Sequence, residues 1–341
     1  MAETKKTRMI AGELALLSAI RRRAARSGAV RGAVRVGIGD DCAVLRPKTG
    51  NEICVTTDFS LEGVHFRRDW HAPQAAGHRC LARGLSDLAA MGAEPMAVFL
   101  SLALPVRMPQ AWVDGFLEGL FALAARHRVT LAGGDTAQSP DRIVADIVAV
   151  GQAPRRAARL RVGARPGDGI YVTGALGGAA AELLALARSP GKFRRLTKAA
   201  SGHPHLFPEP RLAAGRRLRG LASAMIDVSD GLSTDLTHLC EASGLAAEID
   251  AATLPVDPLA VAAGRAGLTQ SALDLALHGG EDYELLFTAA PGARVPRRIG
   301  AVPVHRIGVL RERRRRQPQV ALQTVDGKTV KVNPAGWEHF R

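Results

Sequence analysis

Aspartates recur in this sequence where a strand-like segment or a tight corner ends. They are flanked by small or apolar residues and comprise Asp40, Asp41, Asp58, Asp87, Asp135, Asp227 and Asp230. Any one of them, taken singly, is more often a helix cap or a turn residue. Together they occupy the positions at which α/β proteins build binding sites. Because neighbouring carboxylates repel one another when partly desolvated, the set is either dispersed or gathered around a cation.

The donor atoms in these segments are oxygens. Thr56 and Thr57 directly precede Asp58, and hydroxyl and carboxylate oxygens suit Mg²⁺ better than zinc. Mg²⁺ usually takes one or two carboxylates and completes its shell with water and substrate phosphate. Several acids therefore imply several ions, and several ions imply a phosphorylated substrate.

Two common phosphate-binding motifs are not supported. The segment Gly327-Lys328-Thr329 lacks the leading glycine of a P-loop, because Leu322 stands at that position. The segment Gly37-Ile38-Gly39 is followed by Asp40-Asp41-Cys42, so the dinucleotide fingerprint lacks its third glycine. Neither a P-loop kinase nor a Rossmann dehydrogenase is indicated.

The spacing of apolar residues predicts an α/β protein in which short strands alternate with helices. Strands are predicted over residues 34–38, 53–57, 97–104, 143–150, 169–173, 224–227, 284–288 and 304–309. Helices are predicted over residues 9–20, 73–91, 109–127, 175–187 and 232–242.

An irregular stretch rich in Arg, Pro and Gly over residues 151–169 predicts a domain boundary. The predicted domains span residues 1–152 and 153–341. Each contains a Gly-Gly-acid segment, Gly133-Gly134-Asp135 in the first and Gly279-Gly280-Glu281 in the second. This repetition hints at two similar α/β halves.

The charge balance leaves a nucleic-acid-binding protein as an alternative from a different class. The 341 residues include 46 Lys and Arg against 32 Asp and Glu, a formal charge of +14. A clustered basic face would bind RNA or DNA with strong salt dependence. The arginines are scattered among alanines, however, and the densest run, residues 311–316, is predicted to be a solvated loop. Aromatic residues, at 4%, are too few to favour base stacking.

The cysteines and apolar stretches predict a reduced, cytoplasmic protein. The four cysteines show no CxxC pairing and no zinc-finger spacing. The longest apolar stretch, residues 96–104, is far shorter than the roughly 20 residues that span a bilayer. The N-terminal apolar segment is interrupted by Glu13 and reads as an amphipathic helix rather than a signal peptide.

Six longer motifs carry a resemblance to a known family. In order and spacing, the chain resembles the thiamine-monophosphate kinases of the aminoimidazole ribonucleotide synthetase-like superfamily, and the match ends in GWEHF (336–340). The motifs are GIGDDCAVL (37–45), TTDFSLEGVHF (56–66), LSDLAAMGAEP (85–95), LAGGDT (131–136), IDVSDGLSTDL (226–236) and HGGEDYELLF (278–287). GDDCA, EGVHF and GGEDYE together are more specific to the kinases than the shorter acidic patterns are.

The resemblance implies a two-domain α/β (α+β) fold with mixed sheets and helices packed on one face of each. It also implies a homodimer in which the N-terminal domains pair their sheets into a β-barrel. The N-terminal domain would bind metal and ATP phosphates, and the C-terminal domain would complete the cleft for both substrates. The implied reaction transfers the γ-phosphate of ATP to thiamine monophosphate, giving thiamine diphosphate, without nucleic acid or membrane partners.

The resemblance also implies roles for individual residues. Several Mg²⁺ ions would be bound by oxygen atoms of Asp41, Thr56, Thr57, Asp58, Asp87, Asp135, Asp227 and Asp230. The catalytic acids among them would be Asp41, Asp58, Asp87, Asp135 and Asp227. The ATP contacts would be Gly134, Asp135, Arg161 and Ser229. The substrate contacts would be His65, Glu281 and Trp337. From the residues alone, His65 is equally well a structural histidine, and Trp337 is better explained as a core residue.

The chemistry of the acceptor fits a sequence that offers carboxylates and no evident nucleophile. A phosphate monoester has a second pKa of about 6, so the acceptor is largely a dianion and needs no general base. The difficulty is its repulsion by ATP, which metal neutralisation and in-line positioning must overcome. Another ATP-using enzyme of the superfamily remains an alternative. Selenophosphate synthesis is disfavoured, because no cysteine precedes the first acidic motif.

Overall fold

The computed structural model describes residues 9, 12–27, 32–199, 202–315, 317–337 and 340. The chain forms two compact units. The first comprises Met1–Gly84, Pro95–Gln152 and Ser189–Ala200, and the second comprises Leu85–Glu94, Ala153–Arg188 and Ser201–Arg341. No helix among the described residues is long and apolar enough to cross a membrane.

The first part of the chain contains the predicted helices and strands, together with two strands that the apolar spacing does not predict, Val44–Leu45 and Thr130–Ser139. Its elements are α1 (Glu13–Ser27), β1 (Val34–Val36), β2 (Val44–Leu45), β3 (Asn51–Leu61), α2 (Pro73–Ala90), β4 (Glu94–Pro105), α3 (Gln110–His127), β5 (Thr130–Ser139) and β6 (Val144–Pro154). Strands β3, β6, β4 and β5 form a sheet in that order, with β4 and β5 parallel. Strands β1 and β2 pair separately.

The elements of the second part of the chain are more numerous than the sequence pattern predicts. They are β7 (Gly169–Thr173), α4 (Gly178–Arg188), α5 (Pro190–Phe193), α6 (Leu212–Leu218), β8 (Ala224–Val228), α7 (Leu232–Ser243), β9 (Leu245–Asp250), α8 (Pro258–Arg265), α9 (Ala272–His278), β10 (Glu284–Ala289), β11 (Arg298–Ile299), β12 (Val302–Glu312), β13 (Val320–Gln323) and β14 (Thr329–Lys331). A 3-10 turn spans Ala251–Thr253.

The second unit is built on a mixed sheet. The strand order is β14-β13-β9-β12-β7-β10-β8, and β11 pairs with β12. Strand β13 runs parallel to β9, whereas β7, β10 and β12 pair antiparallel with their neighbours. Leu232, Leu236 and Leu239 of α7 pack into one buried cluster with Ile170 and Ile226 of the sheet. A helix with leucines at this spacing has one apolar face, which it buries against the sheet.

Helices α2 and α3 lie in very close contact in the first unit. A Cβ atom on Gly119 would lie 1.9 Å from the carbonyl oxygen of Gln74, and one on Gly77 would lie 1.8 Å from that of Phe116. No side chain fits at either position without moving a backbone. Each helix begins at a proline signal, Pro73 within α2 and Pro109 as the N-cap of α3, because proline has the φ of a first helical turn and needs no hydrogen-bond acceptor.

Three sequence predictions differ from the structure. The N-terminal helix runs from Glu13 to Ser27 rather than over residues 9–20, because its apolar face continues past the arginines at 21–23 to the buried Ala24. The basic run is not wholly a loop, because Arg311 and Glu312 end strand β12 and Arg311 bonds Glu248 at 2.7 Å. Its last residue, 316, lies outside the described residues. The two Gly-Gly-acid segments are not equivalent, because one lies inside β5 and the other in a loop.

Substituting Gly119 with Ala should destabilise the protein. The added methyl group must displace the α2 backbone, and overpacking of this kind costs about 1–3 kcal/mol or more. The matched control is Gly264→Ala in α8, where a Cβ atom would meet nothing within 4 Å. Alanine in that helix should leave stability unchanged or raise it by up to about 1 kcal/mol. Urea unfolding of both variants measures the difference, and equal midpoints would contradict the close helix contact.

Candidate functional site

A pocket of about 550 Å³ in the first unit brings together two of the predicted acidic motifs. Its wall contains Asp41 from the first motif and Gly134 and Asp135 from β5, which are distant in the sequence. Helix α1 contributes Glu13 and Arg21. The pocket therefore holds one Gly-Gly-Asp backbone and two predicted metal ligands in the same space.

The glycine in this pocket is required by the backbone. Gly134 has φ of 146°, and a Cβ atom there would lie 1.9 Å from the carbonyl oxygen of Leu100. The bare backbone leaves room for a ligand to approach. Asp135 lies in the middle of β5, not at a strand end as the sequence suggested, and its Oδ1 accepts the Thr136 N–H at 2.8 Å. Its carboxylate is exposed and has a second oxygen for a ligand.

The first motif forms a turn in which one aspartate shapes the chain. The Asp41 N–H donates to Asp40 Oδ1 at 2.9 Å. Asp40 thus has a local role of the Asx-turn kind. The Asp41 side chain is exposed beside it, which is consistent with the assignment of the second aspartate as the ligand.

The threonine and aspartate motif lies inside β3, which continues to Leu61 instead of ending at Thr57. The extension follows from the alternation of exposed Phe59 and buried Ser60, which keeps the period of a strand. Thr57 Oγ1 donates to Asp146 Oδ1 at 2.7 Å. Asp58 Oδ1 lies 3.7 Å from Arg83 Nη2, so a guanidinium group already shares this carboxylate.

Asp146 is a polar residue that the sequence analysis did not single out. It lies on the less buried face of the otherwise apolar strand β6. A single acid among apolar residues was the sequence feature that could have identified it. Its bond to Thr57 orients one of the hydroxyls that the family resemblance assigns to metal.

His65 is fixed in one tautomer by the backbone. The Leu61 N–H donates to His65 Nδ1 at 3.0 Å. A ring nitrogen that accepts a hydrogen bond carries no proton, so the neutral ring has its N–H at Nε2. The His65 carbonyl also accepts from Arg79 Nη2 at 3.0 Å. The donor of the neutral ring is therefore Nε2–H.

In the second unit, Asp227 lies at the end of strand β8 and is only 4% exposed. Its Oδ2 accepts the hydroxyl of Ser86 at 2.6 Å. Ser86 directly precedes Asp87 on the last turns of α2, which belong to this same unit. The hydrogen bond connects two of the acidic motifs, and the sequence analysis did not identify Ser86.

The loop between β8 and α7 carries Ser229 and Asp230, and a buried acid from α7 closes it. Asp235 Oδ2 accepts the N–H groups of Ser229, Asp230 and Gly231 at 3.1, 3.2 and 3.1 Å. Burial raises the pKa of Asp235 well above its ordinary value, and the charges of Asp227 and Asp230 raise it further. Asp235 was absent from the predicted site. Its signal is an acid in the first turn of a helix that begins with glycine.

Two predicted substrate contacts flank this loop. The Glu281 N–H donates to the carbonyl oxygen of Ser229 at 2.7 Å, and the Trp337 N–H donates to that of Asp230 at 3.1 Å. The Glu281 carboxylate lies 3.1 Å from Nδ1 of the buried His205. Trp337 is 54% exposed, so the core role that its residue type favoured is wrong.

Arg161 has an exposed side chain, and its hydrogen bond with Ser243 involves only the Arg161 backbone. Its carbonyl oxygen accepts the Ser243 hydroxyl at 3.1 Å. Its predicted contact with the nucleotide stays a prediction.

Across the part of the chain that the structure describes, no three His, Cys, Asp or Glu side chains form one group able to hold a metal ion. The acids instead lie in smaller sets, with Asp41 and Asp135 in the pocket of the first unit and Asp227 and Asp230 near Asp235 in the second. Such sets suit Mg²⁺, which needs only one or two carboxylates when phosphate and water complete its shell.

Two family models match the chain in order. The model for the AIR synthase related protein, N-terminal domain, matches residues 39–153. The model for the C-terminal domain of the same family matches residues 165–320.

Known proteins similar to this chain include thiamine-monophosphate kinases. The enzyme of that name from Escherichia coli is 42% identical over 261 residues, which cover 75% of this chain and 76% of the relative. A crystal structure of thiamine-monophosphate kinase from Stenotrophomonas maltophilia has 37% identity and a TM-score of 0.76, covering 92% of this chain and 96% of that one. A structure described as AaThiL complexed with AMPPCP and TMP has 28% identity and a TM-score of 0.74, covering 96% and 97% of the two chains.

The loop that carries Glu281 is anchored by the buried carboxyl group of the next residue, Asp282. This group predicts a pH dependence of the protein's stability. Asp282 accepts the N–H groups of Gly177 and Ala179 at 2.6 and 3.1 Å. Burial raises the pKa of Asp282 to about 8, so the folded state keeps a proton that the unfolded chain loses near pH 4. Stability contributed by this group is therefore lost as pH rises from about 4 towards 8, with a limiting slope of about 1.4 kcal/mol per pH unit.

Asp282→Asn should remove the dependence of the free energy of unfolding on pH that comes from this carboxyl group. The stability advantage of the unsubstituted protein over the variant should be greatest at about pH 4 and should shrink towards pH 8. Urea unfolding at several pH values measures the difference. The exposed Asp274→Asn serves as the control and should follow the unsubstituted protein throughout. A constant gap between Asp282→Asn and the unsubstituted protein would show that Asp282 does not titrate in this range.

Proposed function

The chain belongs to the AIR synthase related family, and we propose that it is a thiamine-monophosphate kinase, transferring the γ-phosphate of ATP to thiamine monophosphate. The observation that carries this proposal is the loop at Ser229 and Asp230. By the family resemblance, one residue of that loop would contact ATP and the other a metal ion. The carbonyl oxygens of these two residues accept the N–H groups of Glu281 and Trp337, the proposed acceptor contacts. The similar structure described with AMPPCP, an ATP analogue, and TMP supports the same pair of substrates.

The chemical problem of this reaction is charge. The acceptor phosphate is largely a dianion near neutral pH, so it can attack without losing a proton to a base. Two unit charges about 4 Å apart repel by about 4 kcal/mol at an effective dielectric constant near 20. The site must therefore neutralise the polyphosphate and hold both phosphates in line.

The oxygen donors fit Mg²⁺ for this purpose. In the first unit, the ions would be held by Asp41, Thr56, Thr57, Asp58 and Asp135. In the second unit, they would be held by Asp87, Asp227 and Asp230. Bound Mg²⁺ supplies charge neutralisation at the transferring phosphoryl group. The Arg83 guanidinium near Asp58 must share that carboxylate with any ion.

The acceptor contacts follow from side-chain chemistry. The exposed indole of Trp337 can stack on a thiazolium or pyrimidine ring, with a cation–π attraction of about 0.5–2 kcal/mol. The carboxylate of Glu281 can accept a bond from an aminopyrimidine. His65 can donate its Nε2–H to the acceptor phosphate. Gly134, Asp135, Arg161 and Ser229 are assigned to ATP.

The proposed protein is a cytoplasmic homodimer with a metal- and ATP-binding dimerisation domain at residues 1–152 and a second domain at 153–341. Its four cysteines are free thiols, which suits a reducing compartment. Strand β3 exposes Ile53, Val55 and Phe59 at alternate positions, by 47%, 64% and 57%. Alternate positions share one face of a strand, and burying such an apolar face against a second copy would form the proposed barrel.

The decisive assay incubates purified protein with ATP, Mg²⁺ and thiamine monophosphate and follows the products by chromatography. Thiamine diphosphate and ADP in equal amounts are expected. Parallel reactions with aminoimidazole-pathway precursors test the other ATP-using branch of the superfamily. Turnover of one of those precursors, with no thiamine diphosphate, would overturn the proposal.

Asp135→Asn should lower kcat by at least about 100-fold, because an amide cannot neutralise a metal ion in the pocket. The backbone bond from Thr136 can be kept by the amide oxygen, so the fold should be retained. Asp326→Asn, at an exposed turn of the second unit, is the control and should keep full activity. A near-normal rate in Asp135→Asn would remove this residue from the metal site.

Val55→Lys should convert the proposed dimer to a monomer, since it places a charge on the exposed face of β3. Analytical ultracentrifugation at micromolar concentration measures the change. Val325→Lys, at a position 83% exposed, is the matched control and should sediment like the unsubstituted protein. An unsubstituted protein that already sediments as a monomer would contradict the dimer.

A further inference from the structure

The loop at residues 229–231 has its backbone groups engaged on both sides. Its three N–H groups all donate to one oxygen of Asp235. Two of its carbonyl oxygens accept the N–H groups of Glu281 and Trp337. Asp235 is 2% exposed, so its carboxylate has little access to water. A single buried side chain therefore fixes the peptide planes that contact both proposed acceptor residues, Glu281 and Trp337.

Close packing holds the two acceptor segments against this loop. A Cβ atom on Gly280 would lie 2.6 Å from the carbonyl oxygen of Ser229, and one on Gly336 would lie 1.8 Å from that of Asp230. The chain near Gly336 is also held by α7, since its N–H donates to Thr234 Oγ1 at 3.2 Å. A rotation of either loop peptide would therefore displace the segment that bears Glu281 or Trp337.

We propose that Asp235 is a positioning residue that aligns the ATP-binding loop and both acceptor-binding side chains as one unit. The inference rests on the proposed kinase function, which assigns Ser229 to ATP and Glu281 and Trp337 to the acceptor. Asp235 touches neither substrate in this role. It acts through the three loop N–H groups, and these fix where the loop carbonyls point.

Two other roles for Asp235 make different predictions. A residue that only stabilises α7 would change the free energy of unfolding and leave both KM values unchanged. A residue that binds a cation directly would need its negative charge. In the positioning role, one amide oxygen of asparagine can accept the same three N–H bonds that Asp235 Oδ2 accepts, so the charge is dispensable.

The experiment compares Asp235→Ala, Asp235→Asn and the control Asp274→Ala in the full chain. Asp274 also lies in the first turn of a helix, but its side chain is exposed. Asp235→Ala should raise the KM values of both ATP and thiamine monophosphate by about 10- to 100-fold, the usual effect of losing a residue that orients ligands. Asp235→Asn should keep both within about threefold. Asp274→Ala should match the unsubstituted protein.

Hydrogen exchange without substrates gives a second readout. Loss of the Asp235 acceptor should speed exchange at the 229–231 amides by at least about tenfold in Asp235→Ala. Exchange in Asp235→Asn should stay slow. If Asp235→Ala does not fold, Asp235→Asn alone decides, because a folded Asp235→Asn protein with about 100-fold lower turnover would show that the charge is needed and overturn the inference.

The outcomes separate the two proposals. If the unsubstituted protein makes no thiamine diphosphate, the kinase proposal fails, and the exchange data still test the effect of Asp235 on the loop. If the unsubstituted protein is active and a folded Asp235→Ala keeps both KM values, the positioning role is overturned. Unchanged exchange at 229–231 in Asp235→Ala would also overturn it.

Discussion

Buried carboxylates hold the loops of the second unit in place. A buried carboxylate is costly unless donors satisfy it. Glu182, Glu284 and Asp282 accept bonds from segments distant in sequence, and Asp235 accepts bonds from the loop just before its own helix. Glu182 accepts the N–H groups of His205 and Leu206, and Glu284 accepts Arg211 and the Thr173 hydroxyl. Asp235 and Asp282 each accept backbone N–H groups from a loop or a helix start. The cost of burial is thus offset only when each loop adopts its observed path, which makes these acids determinants of loop geometry.

This arrangement explains why the loops of the site tolerate little variation. Glycine is needed at Gly231, Gly280 and Gly336, where a Cβ atom would strike a neighbouring carbonyl oxygen or carbon. Glu281 itself has a positive φ of 67°, a conformation that costs energy for a residue with a side chain. The bond from its N–H to Ser229 and the contact of its carboxylate with His205 hold it there. The strain is therefore supported by contacts on both sides of the residue.

The sequence predicted an element well where its apolar pattern was strong and poorly where glycines or shortness weakened that pattern. Strand β7 has the predicted bounds, and α2 and α3 begin and end within one residue of prediction, because apolar spacing and proline signals agree. Strand β5 was not predicted, since Gly133 and Gly134 weaken its pattern and its strand conformation depends on pairing with β4. Strands β13 and β14, at one end of the second sheet, are too short to show a period.

The chemistry of the site was easier to predict than its support. The carboxylates proposed as ligands stand in recognisable motifs. Asp235 shows in the sequence only as an acid in the first turn of a helix, and the three N–H groups that it accepts are seen only in the structure. Ser86 and Asp146 were missed because each contacts a residue far away in the chain. Sequence spacing reports neighbours along a helix or strand, and these contacts cross between elements.

The net charge of +14 and the acidic site act over different distances. Free charges are screened beyond about 8 Å at physiological salt, so scattered arginines affect the approach of anionic substrates more than their final geometry. Within the site, the nearby carboxylates matter more than the distant arginines, because they would repel the phosphates of ATP without intervening cations. In the proposed function, divalent ions would separate these acids from the substrate. In the proposed function these ions would also limit where the two phosphates can meet, and a fixed backbone at Ser229 and Asp230 would serve that alignment.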